Sequence, residues 1–217
     1  VGRFLAEITV VSDDEFFPES TIPIVIQVEH ANGLLAHYPM DETEGDQLVD
    51  ASGNNYHGKY VRAGDGTVNL GVGSLASGTA AAFSGDLAYA EIPADAAFPL
   101  IQTFSVSMWV NFDPASEGSF STLFSKGSTL GSPFSSIAVV GGPLQLFSQG
   151  VEMVPTEATI SSGQAHHFVI THEDTNGPSE LGASEVRLYL DGELVFENLE
   201  SDGFDDRDPS PIQIGAT

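Results

Sequence analysis

"TFSVSMWVNF", Thr103 to Phe112, is the clearest strand in the sequence. It alternates without a break. Phe104, Val106, Met108, Val110 and Phe112 fall on one face, and Ser105, Ser107, Trp109 and Asn111 on the other. Successive strand side chains point to opposite faces, so this period of two predicts a strand with one strongly apolar side. The same period returns in "AHHFVITHE" (Ala165 to Glu173), where His166 shares a face with Phe168 and Ile170, and His167 with Val169 and Thr171. "EVRLYLDGELVFE" (Glu185 to Glu197) reads as two apolar strands around Asp191-Gly192, a pair suited to a type I′ hairpin turn. "AAAFSGDLAYAEIP", "STLFSKG", "SSIAVVGG", "LQLFSQG" and "VEMVPTEA" add strand candidates at short spacing, with "LLAHYPM" and "HGKYV" as shorter ones. No helical period of 3.6 and no internal repeat stands out. So many short strands predict an all-β, antiparallel sandwich or jelly roll.

Toward the N-terminus the pattern changes unit. "RFLAEITVV" and "TIPIVIQVE" alternate around the turn-rich "SDDEFFPES", with Ile22, Ile24, Ile26 and Val28 on one face of the second run. Pro23 removes a ladder donor and argues for an edge strand. Two strands alone make no stable domain. Residues 1–28 are therefore expected to be the last hairpin of a preceding module, residues 29–33 ("EHANG") a linker, and residues 34–217 the main domain, cut short at its C-terminus.

Composition limits the partners. The 217 residues carry 31 acids against 6 Lys and Arg, a formal charge of −25. Such a surface repels phosphate backbones and anionic membranes, and favours cations, Ca²⁺ above all, because carboxylates are hard oxygen ligands. Acids spread over a solvated surface for solubility in salty water explain the same count. No apolar run approaches the roughly 18 to 20 residues that cross a bilayer, so membrane insertion is not expected. The opening "VGRFLAEITVV" has no signal-peptide pattern and no initiator methionine, as in a piece of a longer protein. Cysteine is absent, which removes disulfides, zinc thiolates and thiol catalysis together. An acidic, cysteine-free chain suits a secreted or cell-surface bacterial protein.

Four stretches in order carry a resemblance: "AHYPMDETEGDQLVDASGNNYHG"; "AAFSGDLAYAEIP" with "FSVSMWVNF"; "AHHFVITHE"; and "RLYLDGELV". Together, over residues 33 to 217, they resemble the laminin-G-like jelly roll of the concanavalin A-like lectin/glucanase superfamily. The first 28 residues, with their strand, loop and "TIPIVIQV", resemble the last hairpin of bacterial immunoglobulin-like modules of the BACON type. The jelly-roll resemblance implies two packed antiparallel sheets, one concave. Three departures stand out: Ala165 occupies a position often held by Trp before the paired histidines, Ser84 stands where Asp often follows the Phe, and no closing strand follows "IQIGAT".

In "DASGNN", Asp50, Ser52 and Asn54 alternate around Gly53. Oxygen ligands at such spacing can wrap Ca²⁺, but twelve-residue spacing from Asp50 lands on Val61 and an EF-hand fails. The same residues make a tight turn closed by Asx hydrogen bonds, and both readings stay open. The resemblance implies one structural Ca²⁺ bracing the sandwich. Asp50, Asn54 and Asp86 are the candidate ligands, with Asp41 in reserve. A pentraxin-like double site is not expected, since the loop "GSTLGSPFSS" holds no acid.

Catalytic patterns are missing. Glucanases on this fold use E-x-D-x-x-E to set two acids about 5 Å apart on one face, and no such motif exists here. Glu185 and Glu193 flank a hairpin and Glu91 stands alone. There is no G-x-S-x-G elbow. "GDGTVNLGVGSLASG" lacks the Lys and helix of a phosphate loop and is expected to be a mobile surface loop. His166 and His167 point to opposite faces and suit a structural role better than one metal. Trp109, the single tryptophan, lies on the Ser and Asn face. Either it stacks on a sugar ring, with Ser107 and Asn111 as polar company, or that face is covered and Trp109 is buried.

The expectation is a non-catalytic module binding a polysaccharide or glycan, or a matrix or surface protein, in tandem with other domains of its chain. A spacer domain, or an accessory domain of an extracellular glycoside hydrolase, is the alternative.

Overall fold

The computed structural model describes residues 2–11, 19–28, 33–73, 75, 78–85, 87–93, 103–112, 120–126, 135–140, 143–148, 151–174, 184–201 and 211–216. Sixteen strands and no helix occur among them. β1 (Gly2–Val11) and β2 (Glu19–Val28) pair antiparallel from Gly2↔Val28 to Val11↔Glu19 and form a sheet of their own. Pro23 sits opposite Glu7 in a strand with only one partner, where its missing N–H disturbs no second ladder.

The larger sheet draws on β3 (Gln47–Leu48), β4 (Gly58–Arg62), β7 (Ala88–Ile92), β9 (Phe120–Lys126), β10 (Ser135–Val140), β11 (Pro143–Ser148), β12 (Val151–Thr159) and β16 (Ile212–Ala216). Its order is β12-β11-β10-β9-β16-β7-β4-β3. The smaller sheet has the order β15-β14-β13-β8, from β8 (Thr103–Asn111), β13 (Ala165–Asp174), β14 (Ser184–Leu190) and β15 (Glu193–Ser201). β5 (Thr67–Val72) and β6 (Ala80–Ser84) form a separate pair. All of these pairings are antiparallel.

The two main sheets share one core. Tyr60, Ala88, Ala90, Ile92, Phe124 and Ile212 come from the larger sheet, and Phe168, Ile170, Val186 and Leu188 from the smaller. In β7, buried Ala88, Ala90 and Ile92 alternate with half-buried Tyr89 and Glu91. In β13, buried His166, Phe168, Ile170 and His172 alternate with His167, Val169 and Thr171. This is a β-sandwich, and the period-two reading placed its faces correctly. β8 follows too: Phe104, Val106, Met108 and Val110 pack against the core, while Ser105, Ser107, Trp109 and Asn111 are exposed. Those apolar residues are only partly buried because β8 ends its sheet, with a neighbour on one side.

The β14–β15 hairpin turns at Asp191 (φ 53°) and Gly192 (φ 88°), both left-handed as a type I′ turn requires. Gly58 is needed for another reason. A Cβ there would stand 2.4 Å from the Glu91 carbonyl oxygen, so only glycine lets β4 lie this close to β7.

Two expectations need correction. Leu34–Met40 forms no strand: side chains of Asp50 and Asn54 and the Ala51 backbone N–H take up its backbone groups. Residues 64–78, expected to be a surface loop, contain β5, whose Val68 is buried. The ladder shifts register between Asn69 and Val72, around Gly71 at φ 66°, which let one strand look like a glycine-rich loop.

Candidate functional site

The polar face of β8 is open to solvent. Trp109 is 48% exposed, which excludes the buried alternative for this ring. The β8–β13 register sets Trp109 opposite His167 and Ser107 opposite Val169. The His167 ring stacks on the indole, with centroids 4.9 Å apart and planes at 25°. His167 Nε2 lies 2.8 Å from Ser107 Oγ. The imidazole is thus fixed between a flat aromatic face and a hydroxyl. Asn111 is exposed one step further along the same face of β8. The ladder then carries the surface sideways. Val169 pairs with Tyr189, and Tyr189 with Leu194, which is 50% exposed. The sheet therefore presents Trp109 and His167 beside Val169, Tyr189 and Leu194, a mostly apolar, partly aromatic strip with polar groups at its margin. Of these, sequence reading picked out Trp109, Ser107 and Asn111. It missed Tyr189 and Leu194, and it did not pair Trp109 with His167.

His166 points the other way. Its Nδ1 lies 2.7 Å from Asp191 Oδ2 and its Nε2 lies 3.2 Å from the Ser161 carbonyl. The backbone N–H of His167 donates to Asp191 Oδ1 at 2.9 Å, and the Asp191 N–H donates back to the His167 carbonyl at 2.8 Å. Those hydrogen bonds, first that of the His167 amide and then that of the His166 ring, hold the Asp191 carboxyl below the ordinary carboxylate range. The turn residue thus clamps the strand whose other face carries His167.

The Asp50 segment is a brace. Asp50 is 5% exposed. Its Oδ1 accepts from the N–H groups of His37 and Ser52, both at 2.9 Å, and its Oδ2 accepts from Ser52 Oγ at 2.8 Å and the Tyr56 N–H at 3.0 Å. The Asp50 N–H donates to His57 Nδ1 at 3.0 Å, and Asn54 Nδ2 donates to the carbonyls of Leu34 and Leu35 at 3.1 and 2.8 Å. Burial pushes the Asp50 carboxyl up, but the donated hydrogen bonds outweigh it and leave it below its usual range.

A carboxylate offers about four lone-pair sites, and four protein donors use them here. Asp50 and Asn54 therefore fit a turn that ties Leu34–Met40 down, with the Asp50 oxygens taken up by protein donors and Asn54 held through its Nδ2. Asp86 lies outside the described residues. Asp41 contributes its backbone carbonyl to the Thr79 hydroxyl. Among the described residues no group of three His, Asp or Glu side chains could hold a metal ion.

Two of the three acids weighed for catalysis, Glu91 and Glu185, are held in ion pairs. Glu91 Oε1 lies 2.9 Å from Lys59 Nζ. Arg187 pairs with Glu185, and its Nε with Glu197 Oε1 at 2.7 Å. Glu193 is exposed beside the hairpin turn. Beyond Glu91 on the same face of the larger sheet lie Gln213 and then Ser125, both buried. Among the described residues, Gln213 Oε1 and Ser125 Oγ are buried without a hydrogen-bond partner.

The family comparison agrees with this architecture. Residues 83–217, more than half of the chain, match the laminin G family model described as the concanavalin A-like lectin/glucanases superfamily. No curated protein matches the chain. Among solved structures, a chain studied for the cell entry of botulinum neurotoxin type C, which is dependent upon interaction with two ganglioside molecules, matches at 14% identity with a TM-score of 0.45. The match covers 77% of this chain and 40% of that one.

Proposed function

This chain belongs to the concanavalin A-like lectin/glucanases superfamily, and from that premise we propose that it is a non-catalytic carbohydrate-binding module. The observation that carries the reading is the half-exposed Trp109 stacked on His167 and backed by Ser107. Sugar rings have apolar C–H faces edged with hydroxyls. An aromatic surface flanked by hydroxyl, amide and imidazole groups matches both parts, and its exposure outside the core leaves it free to do so. Trp109 would take the sugar face. Asn111 and the remaining hydrogen-bonding capacity of Ser107 would take hydroxyls. His167 would extend the platform.

The pairing of Glu91, Glu185 and Glu197 with basic side chains supports a binding role over glycoside hydrolysis, which needs one free acid and one free carboxylate. The self-contained β1–β2 hairpin supports reading residues 1–28 as part of a neighbouring immunoglobulin-like module. Glycan or matrix binding by tandem domains suits a secreted or cell-surface location, and no described helix is long and apolar enough to cross a membrane.

A glycan-array screen of the chain and its Trp109→Ala variant tests the proposal, with thermal melts to show that both are folded. Binding by the parent that is lost in the variant supports it. An array silent for the folded parent refutes it and leaves a spacer role.

A further inference from the structure

Accepting that Trp109 is a glycan site, we infer that its ligand is a glycan free of carboxylate and sulfate groups. The inference comes from where the basic side chains are spent. The chain has 31 acids and only 6 Lys and Arg. Three of the six have described side chains, Lys59, Arg62 and Arg187, and each is paired with an acid: Lys59 with Glu91, Arg62 with Asp46, and Arg187 with Glu185 and Glu197.

Arg187 matters most, because it shares the site's sheet. It lies opposite Thr171, two outward side chains along β13 from His167, so it is the described cation nearest the aromatic strip. Its guanidinium is bracketed by two carboxylates, and an acidic sugar would have to displace one of them. Recognition of carboxylate or sulfate relies on free Arg or Lys forks, helix N-termini or bound metal. Among the described residues the site has no free cation and no helix, and the surrounding charge adds repulsion. Glu173, Asp191 and Glu193 are exposed on the strands and turn that carry the site. An uncharged or amine-bearing glycan avoids this cost and keeps the ring stacking.

The test uses the whole chain on an array of neutral hexose oligomers, acetylated and deacetylated chito-oligomers, and uronate and sulfated oligomers. It is read at about 0.02 M and about 1 M salt, where screening lengths are roughly 20–30 Å and 3 Å. The best neutral binder is also measured after oxidation of its C6 hydroxyls to carboxylates. We expect Trp109-dependent binding confined to acid-free glycans. The oxidised form should bind at least about tenfold more weakly at low salt, with the gap narrowing at high salt. Trp109-dependent binding of uronate or sulfated oligomers, equal to or tighter than that of neutral ones, overturns the charge inference and leaves the glycan site standing. Binding that ignores Trp109→Ala, or no binding by the folded chain, removes the site and the inference together.

Discussion

Replacing Asp50 with Asn changes one atom and asks whether this carboxylate is a brace or a metal ligand. In the native chain four donors converge on it. In the variant, Oδ1 can still accept from the amides of His37 and Ser52, but the group at Oδ2 becomes an amide NH2, which only donates. The Ser52 hydroxyl can rotate to accept from it. The Tyr56 N–H cannot, and a buried donor left without an acceptor costs about 1–3 kcal/mol. The two retained bonds lose their charge assistance, about 1 kcal/mol each.

The total, about 3–5 kcal/mol, is a large share of a typical 5–15 kcal/mol stability and corresponds to about 6–20 °C in melting temperature for a chain of this size. Urea and thermal unfolding at neutral pH measure it. The acid limb gives the second reading. Asp50 is depressed in the folded state relative to about 3.9 unfolded. Its stabilisation is therefore complete above the unfolded value and is lost as pH falls through the folded one, and Asp50→Asn should flatten that loss. The third arm repeats the melts in Ca²⁺ and in EDTA. A brace predicts the same Asp50→Asn penalty in both. A penalty below about 1 kcal/mol, or one that appears only with Ca²⁺, would refute this account of the loop.

Other substitutions probe the packing around the site. Gly58→Ala drives a methyl into the backbone of β7 and should cost about 2–3 kcal/mol by denaturant titration, whereas a neutral result would mean that β4 can move away freely. Phe168→Ala empties the sandwich centre and should cost about 3–5 kcal/mol in the same assay. Asp191→Asn keeps a residue at ease in the turn but loses the carboxylate that holds His166. Because that carboxylate is half-exposed, solvent screening limits the loss to about 1 kcal/mol at neutral pH, shrinking toward zero as acid protonates the native aspartate. Trp109→Ala should leave the melting temperature within a few degrees, because it gives up one stacked pair worth about 0.5–1.5 kcal/mol.

What could be read from the sequence divides along a physical line. Strand faces were legible because a period of two is local: Phe104 to Val110, His166 to Ile170 and the Asp191-Gly192 turn each announce themselves within ten residues. Leu34–Met40 misled because its apolar residues fit a strand, while its hydrogen bonds go to groups distant in sequence, many of them side chains. His37 donates to Asp50, the carbonyls of Leu34 and Leu35 accept from Asn54, and the Tyr38 hydroxyl donates to the Tyr56 carbonyl. Side chains that compete for backbone groups in this way leave no periodic trace.

The candidate site was half legible for a related reason. Alternation alone put Trp109 with Ser107 and Asn111, since all three share one strand. It could not bring in His167, Tyr189 or Leu194, because their places depend on registers joining residues 107 to 169 and 189 to 194, the second across a shift in the ladder. The register also separates the two histidines into different tasks. His166 is held by the half-exposed Asp191 of the hairpin turn, and that same carboxylate accepts from the His167 backbone. The surface imidazole therefore stands on a strand whose backbone is clamped by the turn. On the proposed glycan-binding role, a platform fixed in this way would leave little side-chain ordering to be done on binding, which favours tight stacking from a small contact area.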